Sequence, residues 1–207
     1  MPSTLLAFLG ACTLIAASPG PSTVLIIKES LRSRRSGFLT VLGNETGVFV
    51  WGVVAAFGLS ALLAASEAAY TVTRVVGAVV LVAFGVQTLR QARRTKGEGL
   101  GDTAAAPARS GFASYRGGLL LNLANPKAAV FAMSFLPQFV PHGAPHLPAM
   151  IGLAALWAVY EVGYYGLYVW CVGRLKDVLS RAGVRRRLEQ VSGGVLLLLG
   201  VRLALEG

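Results

Sequence analysis

Charge is what this chain has least of, and acidic charge above all. Nine Asp and Glu stand against nineteen Lys and Arg, and charged residues of both signs make up 14% of the 207 residues. With 55% hydrophobic residues and a mean hydropathy of +0.64, that shortage excludes an ordinary soluble domain and points to a polytopic membrane protein. The formal charge of +10 does not indicate nucleic acid, because Lys and Arg sit between apolar segments and form no stripe along one element.

Cysteine and histidine are nearly absent. Cys12 and Cys171 lie far apart within apolar segments, neither with a second Cys nearby to make a metal or redox motif, so both read as small core residues. His142 and His146 are four apart, but Gly143, Pro145 and Pro148 argue against a helix there and no carboxylate is near, so no metal site is expected. No G-x-x-x-x-G-K-[ST] phosphate loop, H-E-x-x-H or G-x-S-x-G occurs. ATP hydrolysis and common membrane proteolysis therefore lack their parts, and neither enzymatic activity nor a cofactor is expected. No Lys or Arg precedes the first apolar run, so that run is read as a retained segment and not as a secretory signal.

What the chain does have is apolar length. A helix needs roughly 20 mostly apolar residues to cross a bilayer. That length predicts about six spans, at 4–27, 38–63, 69–90, 116–138, 148–172 and 190–206. The connections alternate in charge. Lys28, Arg32, Arg34 and Arg35 fall in the first, a row of basic residues from Arg90 to Arg116 in the third, and Arg174 to Arg187 in the fifth; the second and fourth have almost none. By the positive-inside rule the odd connections are cytoplasmic, which places both termini outside a cell inner (plasma) membrane. The chain then divides into a first three-helix half at 1–94, a Gly- and Ala-rich cytoplasmic linker at 95–110 and a second three-helix half at 111–207. The second half starts inside where the first starts outside, so a repeat between them would be inverted. Gly43 and Gly47, at small-xxx-small spacing, predict a helix packing face.

Two of the spans are broken. Ser18-Pro19-Gly20-Pro21-Ser22 interrupts the first, and Asn122-Leu123-Ala124-Asn125-Pro126-Lys127 the fourth, at matching positions of the two halves. Paired breaks of this kind are the best sequence pointer to a substrate site in a secondary transporter. Ser18 and Asn125 each stand directly before Pro, a good capping residue ahead of a good first helical residue, so each break reads as the start of a new half-helix. Two opposed half-helices starting at intermediate depth would aim free N–H groups and positive dipole ends inward, a constellation suited to a carboxylate, with Lys127 adding charge. The alternative is that the prolines only kink helices for packing.

Ionisable residues within spans are functional candidates by default. Glu45, beside Asn44, and Glu161, between Tyr160 and Val162, are placed to receive an ammonium group or to carry a coupling proton. A buried hydrogen bond to a neighbouring tyrosine is the alternative for Glu161. Arg74 pairs with Glu45 or snorkels outward. Trp157, Tyr160, Tyr164 and Tyr168 recur at helical spacing, and Tyr160 and Tyr164 are assigned to a cavity, the other aromatics to packing.

These breaks, the Gly-rich entry at Gly37 to Gly47, Gly77 and Gly85, the block Gly118 to Phe131 containing Asn125-Pro126-Lys127, Phe135-Leu136-Pro137-Gln138-Phe139, and Gly193, Gly194 and Gly200 together resemble the lysine exporter (LysE/RhtB) family of amino-acid efflux proteins. The resemblance runs along nearly the whole chain. It implies an all-α polytopic membrane protein that exports amino acids or related small metabolites from the cytoplasm by proton antiport, often as a homodimer, with membrane lipid around it. It carries function onto Pro19, Gly20, Pro21, Asn125, Pro126 and Lys127. Members often have other residues where this chain has Asn44, Glu45 and Thr46. The expected substrate site is therefore Ser18, Pro19, Gly20, Pro21, Asn44, Asn122, Asn125, Pro126, Lys127 and Tyr160, with Glu45 and Glu161 for coupling or ammonium binding. Two other readings stay open: a metal-ion exporter of related fold, which would need carboxylates at the breaks, and a membrane thiol-redox protein using Cys12 and Cys171.

Overall fold

The computed structural model describes residues 2–17, 20–65, 75, 78–79, 82–83, 85–87, 89–90, 93, 110–141, 143–172 and 182–205. Among them every regular element is helical. Helix α1 (Pro2–Ala17) is apolar almost throughout and stops at the Ser-Pro-Gly-Pro cluster; α2 (Pro21–Arg32) resumes beyond it. The restart has a simple cause. Gly20 is extended (φ −147°, ψ −177°) as the N-cap, and Pro21 sits at the first helical position, where its missing N–H costs nothing. The proline that opens the half-helix is thus Pro21, with Gly20 as its cap. The expected opening at Ser18-Pro19 lies outside the described residues.

Helix α2 buries Thr23, Ile26, Ile27 and Ser30, a stripe at three-and-four spacing, against helix α3 (Arg34–Ala65). The basic connection expected between them is reduced to one residue. Ser33 is extended, its N–H donates to the Glu29 carbonyl (3.1 Å) and its Oγ accepts from the Ser36 N–H (3.0 Å), so it closes α2 and caps α3 at once. Helix α4 (Gly111–Leu123) starts on Ser110, whose side chain accepts from the Ala113 N–H, and α5 (Pro126–Phe135) starts on Asn125. A 3₁₀ turn, Leu136–Phe139, follows, then α6 (His146–Trp170), with Pro148 tolerated in its first turn, and α7 (Ala182–Leu205).

Two helices, Arg34–Ala61 and His146–Trp170, are long and apolar enough to cross a bilayer. Two broken pairs are apolar enough together, α1 and α2 meeting at 67° and α4 and the α5 segment at 60°; each is a broken span or a re-entrant loop, which gives two to four spans among the described residues. Six were expected. The third lies mostly outside the described residues, and α7 carries Arg185, Arg186, Arg187 and Glu189 in its first half, which shortens its apolar part. Leu6, Phe57, Phe112, Val159 and Trp170 all face outward, an arrangement that water penalises and lipid does not.

Helix α3 is the centre, in contact with α2, α4, α5 and α6. Its approach to α4 is backbone to backbone. A Cβ on Gly43 would run into the Tyr115 carbonyl, and one on Gly118 into the Thr40 carbonyl, so two glycines facing opposite ways let the helices touch. Two apolar clusters hold the rest. One stacks Phe131 on Phe135 (4.1 Å between centroids), sets Phe131 edge-on to Trp157 (4.9 Å) and includes Phe8, Cys12 and Met150. The other joins Ile26, Ile27 and Val41 to Tyr165 and Tyr168.

Candidate functional site

The two helix breaks, distant in sequence, meet at one cavity of about 50 Å³. From α2 and its cap come Gly20, Pro21, Ser22 and Thr23; from α4 and α5 come Asn122, Asn125, Lys127 and Ala128. Helix α3 adds Asn44 and Val48, α6 adds Trp157, Glu161 and Tyr165, and α1 adds Ile15. Its volume is of the order that holds a few water molecules.

The breaks are finished differently. At α5 the Asn125 Oδ1 accepts from the Lys127 N–H (3.0 Å) and the Asn125 carbonyl from the Ala128 N–H (3.1 Å), so the first donors of this half-helix are already used. At α2 the cap is Gly20, which has no side chain to offer. The N–H groups of Ser22 and Thr23 occupy positions that no carbonyl of their own helix reaches. Ser22 Oγ is buried with no hydrogen-bond partner among the described residues. Among the described residues, then, the α2 end offers the unpartnered Ser22 hydroxyl, and the α5 end contributes its dipole and the Lys127 side chain.

Helix α6 presents Trp157, Glu161 and Tyr165 at successive steps of four, on one line facing inward. The Trp157 indole N–H donates to Glu161 Oε1 (2.8 Å). The Tyr165 hydroxyl donates to the Ala16 carbonyl (3.1 Å), one of the acceptors left over where α1 ends. Glu161 is 3% exposed, lies within electrostatic reach of the Lys127 ammonium and faces the Glu45 carboxyl. Glu45 is 2% exposed and stands behind the cavity wall. Asn44 Nδ2 donates to Glu45 Oε1 (2.8 Å), and Asn122 Nδ2 donates to Asn44 Oδ1 (3.2 Å).

Of the residues expected at the site, Gly20, Pro21, Asn44, Asn122, Asn125, Lys127 and Glu161 share the cavity, and Pro126 sits between two of them at the start of α5. Ser18, Pro19 and Arg74 lie outside the described residues. Tyr160 is off the cavity: its hydroxyl bonds that of Thr13 (2.6 Å), while that of Tyr164 bonds Tyr168 (2.9 Å). The aromatics at the cavity are Trp157 and Tyr165, which the sequence reading assigned to packing. Tyr165 stands one residue on from Tyr164, about 100° around the helix. Counting in fours from Glu161, the residue most in need of burial, would have found both.

Among the described residues no group of three His, Cys, Asp or Glu is placed to hold a metal ion. Cys12 lies beside Glu161 in the core, and Cys171 follows the end of α6, ten residues on and about 15 Å further along the helix, beyond disulfide reach.

The geometry is that of a small, partly polar cavity formed where two interrupted apolar helices meet. The chain belongs to the LysE-type translocators, whose family model matches residues 13–207. It is 33% identical to the threonine efflux protein of Salmonella typhimurium over 146 residues, 70% of this chain and 67% of that one. Over 198 residues it is 26% identical to the leucine efflux protein of the same organism, covering 95% and 91% of the two chains. The uncharacterized membrane protein YrhP of Bacillus subtilis is 25% identical over 208 residues, 98% of this chain and 99% of the relative. No solved structure matches the chain.

Proposed function

We propose that the protein exports amino acids or closely related small metabolites from the cytoplasm across the inner (plasma) membrane, in exchange for protons. The observation that carries this reading is the convergence of both helix breaks on one cavity that also contains a buried carboxylate, Glu161, and a cation, Lys127. A zwitterion fits such a site end to end. Its carboxylate lies against the Ser22 and Thr23 N–H groups, the Ser22 hydroxyl and Lys127; its ammonium lies against Glu161 and Asn122. The relatives that transport threonine and leucine agree with an amino-acid substrate.

Charge counting favours protons as the driving ion. With all three ionised, Glu45 and Glu161 against Lys127 would leave one negative charge in excess within the membrane, and the burial of both carboxyls side by side favours their holding a proton. A neutral amino acid brings none to balance it, and one proton does. Uptake of that proton from outside and its loss to the cytoplasm then couples substrate movement to the gradient. The two broken-helix halves, in inverted orientation with both termini outside, rock around the fixed site to give alternating access.

The test is efflux of L-threonine and L-leucine from loaded proteoliposomes under an imposed pH gradient. Acceleration by the gradient is expected, with at least a tenfold loss of that acceleration in Glu161→Gln. Efflux that ignores both the gradient and the loss of Glu45 and Glu161 would refute the coupling.

A further inference from the structure

Glu45 is buried yet does not line the cavity, and the exporter reading above gives it only a share of charge. Its connections say more. Asn122 and Asn44, which do line the cavity, form a row that ends on Glu45: Asn122 Nδ2 donates to Asn44 Oδ1 at 3.2 Å, and Asn44 Nδ2 donates to Glu45 Oε1 at 2.8 Å. At the cavity end Asn122 Oδ1 has no hydrogen-bond partner among the described residues, although Asn122 is 3% exposed. An unpaired amide oxygen at that depth is costly unless something fills the site.

The direction of this row follows from chemistry. An ionised carboxylate only accepts, so Asn44 must turn its NH₂ toward Glu45. The Asn44 oxygen then faces Asn122, draws the Asn122 NH₂ to itself and leaves the Asn122 oxygen over. The charge on Glu45 thus fixes which atom the far amide leaves free. Protonation lifts the constraint, because a carboxylic acid donates as well as accepts. The two ends of an amide are nearly the same size, so both can turn over in a packed interior. Gly47 leaves the room they occupy: a Cβ there would come within 2.8 Å of Asn122 Cβ and Oδ1.

We propose that Asn44 and Asn122 form an amide relay that reports the proton occupancy of Glu45 to the substrate. With Glu45 ionised, Asn122 Oδ1 accepts from the substrate ammonium. When a hydronium ion gives its proton to the Glu45 carboxylate and leaves as water, the new O–H turns to Asn44 Oδ1, both amides reverse, and Asn122 presents NH₂ to the ammonium, which leaves. One O–H bond breaks on hydronium and one forms on Glu45; the rest is rotation. Glu161 and Tyr165 on α6 face Glu45, and Lys127 on α5 faces Glu161, so these three groups set the pH at which the relay reverses. The inference rests on the amino-acid exporter reading for its ligand, but the relay can be read without one.

Two measurements on the full-length protein in lipid nanodiscs test it. Binding of L-threonine and L-leucine across pH is expected to weaken at least tenfold in acid for the wild type, and to lose its pH slope in Glu45→Gln and in Asn44→Leu. A wild-type slope in Asn44→Leu overturns the relay. Without ligand, infrared difference spectra on a pH step, with the asparagines isotope-labelled, should show a protonated-carboxyl band that is lost in Glu45→Gln. It should rise together with a side-chain amide shift that is lost in Asn122→Leu. A Glu45 band that rises while the amide bands stay still overturns the proposal, whether or not any variant folds. If neither amino acid binds but the amide shift appears, the relay stands and the substrate reading fails.

Discussion

Asn125 does two things with one side chain. Its Oδ1 holds the Lys127 N–H and so starts α5, and the residue itself forms part of the cavity wall. Asn125→Ala is expected to lose about 1 kcal/mol of stability from the missing cap, with Asn125→Asp, which keeps the acceptor, losing less. Thermal unfolding in detergent checks the order of the three proteins. Residues of this kind were legible in the sequence, because Asn before Pro has one dominant local use. The aromatics of α6 were not. Trp157, Tyr160, Tyr164, Tyr165 and Tyr168 cover more than one face of a helix, and spacing alone cannot say which face turns inward. Only the burial of Glu161 decides it, and burial is set by neighbouring helices.

At the scale of elements, both interrupted helices were legible because Pro and Gly act locally. Their detail was less so: Pro21, with Gly20 as cap, opens α2, and the cluster of breakers alone left several starts open. The basic stretch around Lys28 to Arg35 looked like a loop from its charge, yet helix runs through all of it except Ser33, since Lys and Arg are good helix formers. The small residues of α3 were legible as a packing face, though not which helix they meet. Gly118→Ala is expected to cost about 2 kcal/mol or more, because the added methyl meets the Thr40 carbonyl and backbone cannot step aside. Gly58→Ala, where nothing lies within 4 Å, should instead gain up to about 1 kcal/mol from helix propensity. Unfolding temperatures of the two variants, on either side of wild type, are the check.

For the whole molecule, the all-helical membrane character was legible from composition, since too few polar residues exist to clothe a soluble surface of this size. The meeting of the two breaks was legible only as a symmetry argument; that they share a cavity depends on α3 and α6 packing between them. The proposed orientation puts the basic residues beside Ser33 on the cytoplasmic side, and labelling tests it. In a Cys12→Ser, Cys171→Ser background, an impermeant thiol reagent added outside intact cells is expected to label Pro141→Cys and to leave Arg35→Cys untouched until the membrane is opened. Both positions are exposed, so the contrast reads topology alone.

Ser33 has a mechanical consequence for such a molecule. Helix α2 is fastened at that end by its neighbour's cap, by the Ser33 N–H on Glu29 and by the ion pair of Glu29 with Arg32, while its other end forms the cavity wall. The lever between them is twelve residues, about 18 Å long. A tilt of about 10° about that end would move the cavity end by about 3 Å, the width of a water molecule, and would slide the buried Thr23, Ile26, Ile27 and Ser30 stripe over α3.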